Sequence, residues 1–351
     1  MQKELYYIAS LAVLFVSCEE YYKPEMKKVQ ALMVVESLVT NDPKQNYVKL
    51  TKSLDFYSTD QAEEIEGAKV ELIESEGSSL TGIESSTGNF TFSNTPIPGK
   101  TYYLRIILEN NIYESEKVVM PPLPTIDTLY TKHVISQSYR NEIYGPPILV
   151  ETPGREVCID ATVTPQLGYY RFNWRAILQW VCFPGGSPPP WYGWKSKFDN
   201  GIFNIAGSRE FSLSAKIIQH PVLFLEYDTQ AFLDSAAQTP LGWIVIVDQY
   251  GIQKESYDFY ELLNKQLSAE GNLFDPVLTQ VHGNIHCAND TSKIVAGFFE
   301  LNSYRQYRYF LRIGMRINVE NYAIQRRINR YPDIPYYGYV IGYRPEFWEE
   351  Y

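Results

Sequence analysis

Hydrophobic and polar positions alternate in short runs over the first third of the chain. Six runs rich in β-branched and aromatic residues are separated by Asn, Asp, Gly or Pro: LMVVESLVT, YVKLTKSLDF, AKVELIESEG, GNFTFSN, KTYYLRIILEN and IYESEKVVM. Val70 and Leu72 recur at period two, as do Leu104 and Ile106, which predicts that they share an inward face. The pattern predicts an immunoglobulin-like or prealbumin-like β-sandwich over residues 29–120.

A proline-rich segment, PPLPTID at residues 121–127, predicts a linker. Proline favours extended backbone and lacks the N–H group that a sheet ladder needs. Beyond the linker, six more runs are rich in β-branched and aromatic residues: REVCIDATVT, YYRFNWRAILQW, LFLEYDT, WIVIVDQY, AGFFELN and YRYFLRIGMRIN. Residues 128–351 are therefore predicted to form a second, larger β-rich domain.

One segment of the second domain has the periodicity of a helix. Tyr260, Leu263 and Leu267 repeat at helical spacing. Ser256 is a suitable cap for its start, and Gly271 is a suitable terminator. The fold class predicted for the whole chain is therefore mainly β, with one α-helix packed over a face of a sheet.

The N-terminal region is organised like an export signal. Lys3 precedes an apolar stretch from Leu5 to Val16, whose ~12 residues are too few to span a bilayer core that needs ~20. The stretch ends in FVSC, which resembles the bacterial lipobox, with Phe in place of the usual Leu. Residues 1–18 are therefore predicted to be a lipoprotein signal peptide ending at a lipidated Cys18. An ordinary secretory signal with an incidental cysteine is the alternative.

Lipidation of Cys18 would hold the protein at a membrane. Each buried methylene of an acyl chain contributes ~0.8 kcal/mol, and more than one chain makes membrane residence long-lived. Residues 19–28 (EEYYKPEMKK) are polar and have no sustained period, as expected of a tether. Glu19 and Glu20 resemble the acidic signals that send some Bacteroidota lipoproteins to the outer face of the outer membrane. The predicted localisation is therefore the outer membrane, lipid-anchored, with the cell surface as the favoured side.

The composition disfavours two classes of protein. Hydrophobic residues make up 45% of the chain and charged residues 21%, so the chain has enough apolar material to fold. Lys and Arg number 31 against 41 Asp and Glu, and the formal net charge of -10 disfavours nucleic acid as a partner. Long disordered regions and general nucleic-acid binding are therefore not expected.

Four of the six Trp residues lie between residues 174 and 194, around the segment CFPGGSPPPWYGW. Prolines stiffen this segment and glycines permit turns, so Trp191, Tyr192 and Trp194 could be displayed at a loop tip. Exposed rings would stack on a glycan or anchor a protein interface. The alternative is that Trp174 and Trp180 belong to the sheet core and that the loop folds back over apolar surface.

The C-terminal residues 301–351 carry eight Arg and no Lys against five acidic residues, so they are net +3 while the rest of the chain is net -13. Arg and Tyr are enriched at interfaces, and a guanidinium stacks on an aromatic face. The candidate partner-facing residues are Arg326, Arg327, Arg330, Tyr336 and Tyr337. Cross-strand Arg and Tyr pairs on a solvated sheet are the alternative.

The sequence HGNIHC brings His282, His286 and Cys287 together. The intervening GN favours a turn, and a closed zinc site still lacks its fourth ligand, so neither a metal nor another cofactor is predicted. An exported protein meets oxidising conditions, so one disulfide and one buried thiol are expected. Cys182 with Cys287 is the preferred pair, which leaves Cys158 as the thiol, although sequence does not determine the connectivity.

The chain is predicted not to be an enzyme. It contains no GxSxG, SxxK, HExxH, GxxxxGK or GxGxxG motif. A carboxylate-dependent hydrolase is the weakest alternative, because it needs two acidic groups ~5 to 9 Å apart and sequence spacing does not reveal such a distance. The acidic candidates are Asp228, Asp234, Asp248 and Asp258.

Six segments of the mature chain form a distinctive set: LMVVESLVTND, EGAKVELIE, GKTYYLRI, PTID, SYDFYELLNKQLSAEGNLFDPVLTQVHGNI and VAGFFELNS. Together they resemble a family of Bacteroidota lipoproteins, the domain-of-unknown-function family 4249. The long helix-and-turn segment is the most specific, and it departs from the family at Val277, where a second proline is common.

The resemblance implies a function but no catalytic residues. Such lipoproteins are commonly encoded beside outer-membrane transporters energised by the TonB system. The resemblance therefore implies a non-enzymatic accessory or binding subunit of a TonB-dependent β-barrel transporter, in uptake or envelope assembly. The alternative from another class is a free-standing surface lipoprotein that binds a glycan or peptide.

Overall fold

The computed structural model describes residues 31–55, 58–142, 145–182, 191–199, 201–207, 216–228, 238–268, 281–312 and 338–339. Within these ranges the chain is mainly β with a single α-helix, which confirms the predicted fold class. The strands are β1 (Met33–Thr40), β2 (Tyr47–Lys52), β3 (Lys69–Glu74), β4 (Ser79–Thr81), β5 (Ile83–Ser86), β6 (Asn89–Thr91), β7 (Thr101–Leu108), β8 (Asn111–Ser115), β9 (Val118–Val119), β10 (Thr128–Arg140), β11 (Ile148–Thr162), β12 (Tyr169–Cys182), β13 (Trp191–Phe198), β14 (Asn204–Gly207), β15 (Lys216–Glu226), β16 (Gln238–Ile252), β17 (Ile285–Cys287), β18 (Val295–Arg312) and β19 (Gly338–Tyr339). The α-helix is α1 (Lys254–Leu267), and a short 3-10 helix covers Pro43–Gln45.

The strands form three sheets. A ten-stranded sheet has the order β19-β13-β12-β16-β18-β1-β2-β6-β5, with β14 also beside β12. A six-stranded sheet has the order β17-β8-β7-β3-β4, with β9 also beside β7. A three-stranded sheet has the order β10-β11-β15. Neighbouring strands are antiparallel except β1 and β18, which are parallel.

One face of the ten-stranded sheet is covered by the two smaller sheets. The six-stranded sheet packs over β1, β2 and the first half of β18, where Val35 meets Leu72 in a common core. The three-stranded sheet packs over β12 and β16, where Ile159 shares a second core with Phe172 and Val245. The two cores therefore lie side by side along one face of a continuous sheet.

The period-two pattern of the N-terminal runs is confirmed. Val70, Leu72, Leu104 and Ile106 are all buried, and all belong to the core between the six-stranded and ten-stranded sheets. Burying such side chains contributes about 1.5–3 kcal/mol each, so this face is a principal source of stability for the sandwich.

The sandwich is completed by residues from far along the chain, which corrects the predicted domain boundary. β18 pairs with β1 from Met33 beside Val295 to Thr40 beside Asn302, and β17 pairs with β8. The runs AGFFELN and YRYFLRIGMRIN were predicted as separate strands, but residues from the first run and the start of the second belong to one strand of 18 residues that ends at Arg312. Because a strand this long reaches both cores, residues 121–127 do not divide the chain into two independent sheets.

The proline-rich segment has no regular secondary structure, but it is bound to β18. The backbone N–H of Ile126 donates to the Tyr307 hydroxyl at 2.9 Å, and the Ser303 hydroxyl donates to the Pro122 carbonyl at 2.7 Å. These bonds satisfy backbone groups that a proline-rich segment cannot pair in the regular hydrogen bonds of a β-sheet. The segment therefore passes along the ten-stranded sheet rather than acting as a free linker.

The helix α1 covers the opposite face of the ten-stranded sheet, as predicted, but with a different contact surface. Its N-cap is Gln253, and Ser256 is a buried residue of the first turn, because the helix starts earlier than its sequence pattern indicated. The rings of Tyr257 and Tyr169 lie 5.0 Å apart, whereas Leu267 is 62% exposed. The proposed terminator Gly271 lies outside the described residues.

No helix in the described ranges is both long enough and apolar enough to cross a membrane.

Candidate functional site

The most prominent feature outside the two cores is a projecting β-hairpin. β10 and β11 pair without interruption from Thr128 beside Asp160 to Arg140 beside Ile148. The third strand of that sheet, β15, accompanies β11 only as far as Gly154. Beyond this point the two strands continue alone, and we call residues 134–153 the hairpin arm.

One face of the hairpin arm is apolar and exposed. Ile135 lies opposite Pro153, and Tyr139 lies opposite Leu149. Ile135 is 63% exposed and Tyr139 is 75% exposed. Between these pairs the Gln137 amide donates to the Glu151 carboxylate at 2.8 Å. The arm thus presents an apolar stripe with one polar pair in its middle.

This apolar stripe is a continuation of the inward face of the three-stranded sheet. Val157 and Ile159 of β11 are fully buried in the second core. Because side chains alternate along a strand, Arg155, Pro153 and Leu149 lie on the same face. Ile135, Tyr139 and Leu149 on this stripe are each at least half exposed, so the described residues leave the stripe largely uncovered.

A cavity of about 140 Å³ lies at the base of the hairpin arm. It is lined by Arg155, Leu225, Glu226, Tyr227, Trp243, Leu311 and Arg312. The Tyr227 hydroxyl is hydrogen bonded to the imidazole of His133, and their rings lie 5.6 Å apart. The lining combines apolar Leu225, Trp243 and Leu311 with charged residues of both signs, which suits a ligand that has an apolar body and a polar group.

A buried polar cluster lies between α1 and the ten-stranded sheet. A terminal guanidinium nitrogen of Arg171 lies 3.4 Å from the Glu300 carboxylate. The guanidinium also stacks on the rings of Tyr250 and Tyr260, at 4.4 and 4.9 Å from their centroids. Glu300 accepts further hydrogen bonds from Asn302 at 2.7 Å and from Tyr260.

The electrostatics of this cluster favour a charged Arg171 and a neutral Tyr260. Burial disfavours a charged Arg171, but Glu300 and the neighbouring tyrosines outweigh that effect and raise the pKa of the guanidinium. Burial, followed by the charge of Glu300, raises the pKa of Tyr260 well above its ordinary value. The ion pair joins two strands of the sheet, and Tyr260 of α1 packs on Arg171 and donates to Glu300, so we assign the cluster a structural role.

The carboxylates considered for hydrolysis are separated among structural roles. Asp248 accepts from the Tyr304 hydroxyl at 2.7 Å and from the Gln306 amide at 2.9 Å. Asp258 forms an ion pair with Lys254 inside α1. Asp228 follows the end of β15, and Asp234 lies outside the described residues.

The predicted display of Trp194 at a loop tip is wrong. Residues 191–198 form β13, and Trp194 lies beside Gln179 of β12 with only 4% of its surface exposed. Its large ring is buried because the segment pairs as a sheet strand instead of projecting. Trp191 and Tyr192 belong to the same strand, but their side chains lie outside the described residues.

Two other sets of predicted site residues lie outside the described residues. One is the C-terminal set Arg326, Arg327, Arg330, Tyr336 and Tyr337. The other is the N-terminal region with the predicted lipidation site Cys18. Their assignment stays a prediction from sequence.

The preferred disulfide between Cys182 and Cys287 is absent. Cys287 is a free, buried thiol in β17, beside Tyr113 of β8. Cys182 is the last residue of β12, at the end of the ten-stranded sheet where β18 finishes with Arg312. A disulfide needs Cα atoms within about 7 Å, whereas the two positions lie toward opposite ends of a long strand.

Cys158 is also a free, buried thiol, and burial raises its pKa to about 11. In the HGNIHC segment, His286 is exposed while Cys287 is buried, because adjacent residues of a strand point to opposite faces. Among the described residues no three His, Cys, Asp or Glu side chains lie together as a metal site would require.

The most specific sequence segments meet at the junction of β1, β17 and β18. The Asn284 side chain forms two hydrogen bonds with the backbone of Phe299, donating at 2.9 Å and accepting at 2.7 Å. A Cβ atom at Gly283 would overlap the backbone of Gly297, and one at Gly297 would overlap the Val35 carbonyl. Gly297 also has a positive φ of 105°, which favours glycine. These segments therefore hold the two halves of the chain together.

The hairpin arm was missed at the sequence level. The segment TLYTKHVISQSYR of β10 is rich in Thr, Tyr, Val and Ile, which is a signal for a strand. Its apolar residues are too few to give a clear period-two pattern, because most of the strand is exposed. β-propensity alone, without alternation, would have identified it.

Three comparisons with known proteins gave one match. The sequence model of a family described as "Domain of unknown function (DUF4249)" matches residues 19–308. No curated protein and no solved structure matches the chain. The match includes both cores, α1 and the junction of β1, β17 and β18. The chain therefore belongs to the DUF4249 family.

Proposed function

We propose that this DUF4249 protein is a lipid-anchored, non-enzymatic accessory subunit of the outer membrane that binds a protein partner through its hairpin arm. The observation that carries the proposal is the exposed apolar face of the arm. Large apolar side chains exposed on one face of a folded protein are typical of interaction sites. The family resemblance makes a TonB-dependent β-barrel transporter the proposed partner.

The position of the hairpin arm suits this role. The first described strand begins at Met33, which lies beside Val295 at the start of β18, while Arg312 at the other end of β18 lines the cavity at the base of the arm. Eighteen residues of strand span about 55–60 Å at about 3.3 Å per residue. The arm is therefore held far from the tethered end, where it would contact the extramembrane part of a partner.

The apolar stripe also suits a protein partner energetically. Fully burying a large apolar side chain contributes about 1.5–3 kcal/mol, and Ile135, Tyr139 and Leu149 are all largely exposed in the free protein. A two-stranded hairpin is at most marginally stable by itself, so a partner would also reinforce the arm. Both effects favour binding along this surface.

Co-purification of the full-length lipoprotein from its native envelope in mild detergent tests the proposal. We expect a large β-barrel protein to be recovered with it, and the charged variant Ile135→Asp with Tyr139→Asp to lose that partner. The matched variant Leu267→Asp, which changes an equally exposed apolar residue of α1, should retain it. Repeated recovery of the lipoprotein alone would contradict the proposal.

The lipid anchor needs its own test, because the partner experiment does not address it. Metabolic labelling with a tagged fatty-acid precursor should mark the natural protein and leave the variant Cys18→Ser unlabelled. Equal labelling of both, or labelling of neither, would remove the anchor from the proposal.

A second candidate function is binding of a glycan or peptide in the cavity at the base of the arm. The combination of Trp243 and Tyr227 with Arg155 favours it, since aromatic rings and guanidinium groups bind both kinds of ligand. Titration calorimetry with glycans and acidic peptides should then show binding that is weakened about tenfold by Arg155→Ala. Binding that is unaffected by this substitution would count against the cavity.

A further inference from the structure

The cavity at the base of the hairpin arm is continuous with the second core. Its lining comes from β11, β15, β16 and β18, and from Tyr227, which directly follows β15. Leu225, Trp243 and Leu311 line the cavity and also belong to the core between the three-stranded and ten-stranded sheets. The floor of the cavity is therefore formed by apolar side chains of that core.

The volume of the cavity limits the apolar part of a ligand. The cavity measures about 140 Å³, and an apolar cavity of about 150 Å³ holds one benzene ring. The ring of Tyr227 adds an aromatic wall, while its hydroxyl is already hydrogen bonded to His133. The apolar part of a ligand that fits here is therefore about the size of one six-membered ring.

The charge directed at this cavity comes from Arg155. Side chains alternate along a strand, so Arg155 shares the inward face of β11 with the buried core residue Val157. Glu226 and Arg312 also line the cavity, but each is exposed and directly follows a buried core residue in its strand. Alternation therefore directs their side chains to the opposite face and leaves one inward-facing cation.

The guanidinium of Arg155 retains donors for an anion. Its Nη1 donates to Oγ1 of Thr131 at 3.3 Å, and it forms no ion pair with any described residue. A guanidinium has several N–H donors in a planar fork, which matches the two oxygens of a carboxylate. The side chain is half-buried, and hydrogen bonds to charged groups are stronger where water is partly excluded. A carboxylate is therefore the polar group that suits this cavity.

We propose that the cavity at the base of the hairpin arm binds a small carboxylate whose apolar part is about one ring in size. The ring contacts Leu225, Trp243 and Leu311, and the carboxylate accepts hydrogen bonds from Arg155. The inference goes beyond the proposed function, because it needs neither a lipid anchor nor a protein partner. It also names a different ligand class from the glycan or peptide of the second candidate function.

Titration calorimetry of the full chain with phenylacetate tests the inference. Phenylacetate has one ring and one carboxylate, and three matched ligands each change one feature. Phenylacetamide lacks the charge, acetate lacks the ring, and phenethylamine carries the opposite charge. We expect phenylacetate to bind with a Kd of about 1 mM or below, and each of the other three to bind at least about tenfold more weakly.

Two protein variants identify the residue that binds the carboxylate. Arg155→Gln should weaken phenylacetate binding about tenfold and leave phenylacetamide binding within about twofold. Arg140→Gln removes the same charge at the other end of the hairpin arm, and it should leave phenylacetate binding within about twofold. Circular dichroism shows whether either variant loses its fold.

Nuclear magnetic resonance of the natural protein locates the ligand without a substitution. We expect nuclear Overhauser contacts between the ring protons of phenylacetate and the methyl groups of Leu225 and Leu311. This measurement decides the question even if Arg155→Gln does not fold.

Four results would overturn the inference. They are no phenylacetate binding at about 10 mM, equal binding of phenylacetamide, phenylacetate binding that a folded Arg155→Gln retains in full, and ring contacts only to other methyl groups. A glycan or acidic peptide that binds while phenylacetate does not would overturn this inference and support the second candidate function. Phenylacetate binding without a co-purified barrel protein would support this inference and contradict only the proposed accessory role.

Discussion

The junction of β1 with β18 and the hairpin arm are both built from long paired strands with apolar residues at alternate positions, but only the junction is covered. Val35 and Phe299 of the junction are fully buried beneath the six-stranded sheet. Ile135 and Tyr139 of the arm are mostly exposed. The apolar stripe of the arm continues the inward face of its sheet, but the described part of the ten-stranded sheet does not cover it. The same side-chain pattern therefore stabilises the fold in one region and is available to a partner in the other.

The two regions also differ in how tightly their backbones are constrained. At the junction, Gly283 and Gly297 allow backbones to approach closely, and Asn284 bonds both backbone groups of Phe299. In the hairpin arm, the strands are held by their mutual ladder and by exposed side-chain pairs. We therefore expect substitutions at the junction to affect stability and substitutions in the arm to affect binding.

The largest effect is expected from Gly297→Ala. The new Cβ atom would overlap the Val35 carbonyl, and the positive φ disfavours any side chain. We expect a loss of at least about 4 kcal/mol in the free energy of unfolding, or no folded protein, measured by urea denaturation. The control is Gly77→Ala, where φ is 109° but no atom lies near the new Cβ, and where about 1 kcal/mol is expected. Equal losses would show that close approach is unimportant.

The next effect is expected from Glu300→Gln in the buried cluster. Removing this charge leaves Arg171 enclosed without its ion-pair partner. We therefore expect the free energy of unfolding, measured by urea denaturation, to fall by about 3 kcal/mol. The control is Glu142→Gln near the tip of the hairpin arm, which breaks an exposed pair with Arg140. That change should lower the free energy of unfolding by less than about 1 kcal/mol. Similar losses for both variants would contradict the role assigned to the cluster.

A smaller, pH-dependent effect is expected in the three-stranded sheet, which carries the arm. Burial lowers the pKa of His220 from 6.5 to about 4. Between these values the unfolded chain binds a proton that the folded chain does not, so stability falls as pH decreases from 6.5 to 4. Since His220 is only partly buried, we expect it to account for about 1–2 kcal/mol of that fall.

The variant His220→Gln checks this expectation. Glutamine keeps a donor for the side-chain oxygen Oδ1 of Asn204, which lies 2.6 Å from Nε2 of the imidazole. Urea denaturation of both proteins at several pH values should show a shallower acid dependence for the variant. If the stability of the two proteins changed equally with pH, the pKa of His220 would be similar in the folded and unfolded states.

The smallest effect on stability is expected from Ile135→Ala in the hairpin arm. The side chain is mostly exposed, so the free energy of unfolding should change by less than about 0.5 kcal/mol. The same substitution should weaken recovery of the partner from detergent extracts. A large loss of stability would mean that the arm is part of the folded core and not a free surface.

Much of the fold was predictable from local patterns. The alternation at Val70 and Leu72 identified their strand and its buried face, and the helical spacing around Tyr260 identified α1. These features depend on residues close in sequence, which is why the sequence alone reveals them.

The errors have a common physical cause. The display of Trp194, the disulfide of Cys182 with Cys287, and the division at residues 121–127 all depended on which distant segments lie together. Sequence spacing does not state the separation of residues that lie in different sheets. The parallel pairing of β1 with β18, across more than 250 residues, has no local signal.

The sequence by itself determined that this is a mainly β protein with one helix, a candidate lipid anchor at Cys18, and the motifs of its family. Only the tertiary structure decided that β18 joins the two cores and that the hairpin arm extends beyond them. The reason is that alternation along a strand specifies which side chains share a face. Whether another layer covers that face depends on the lengths and positions of sheets formed by remote parts of the chain.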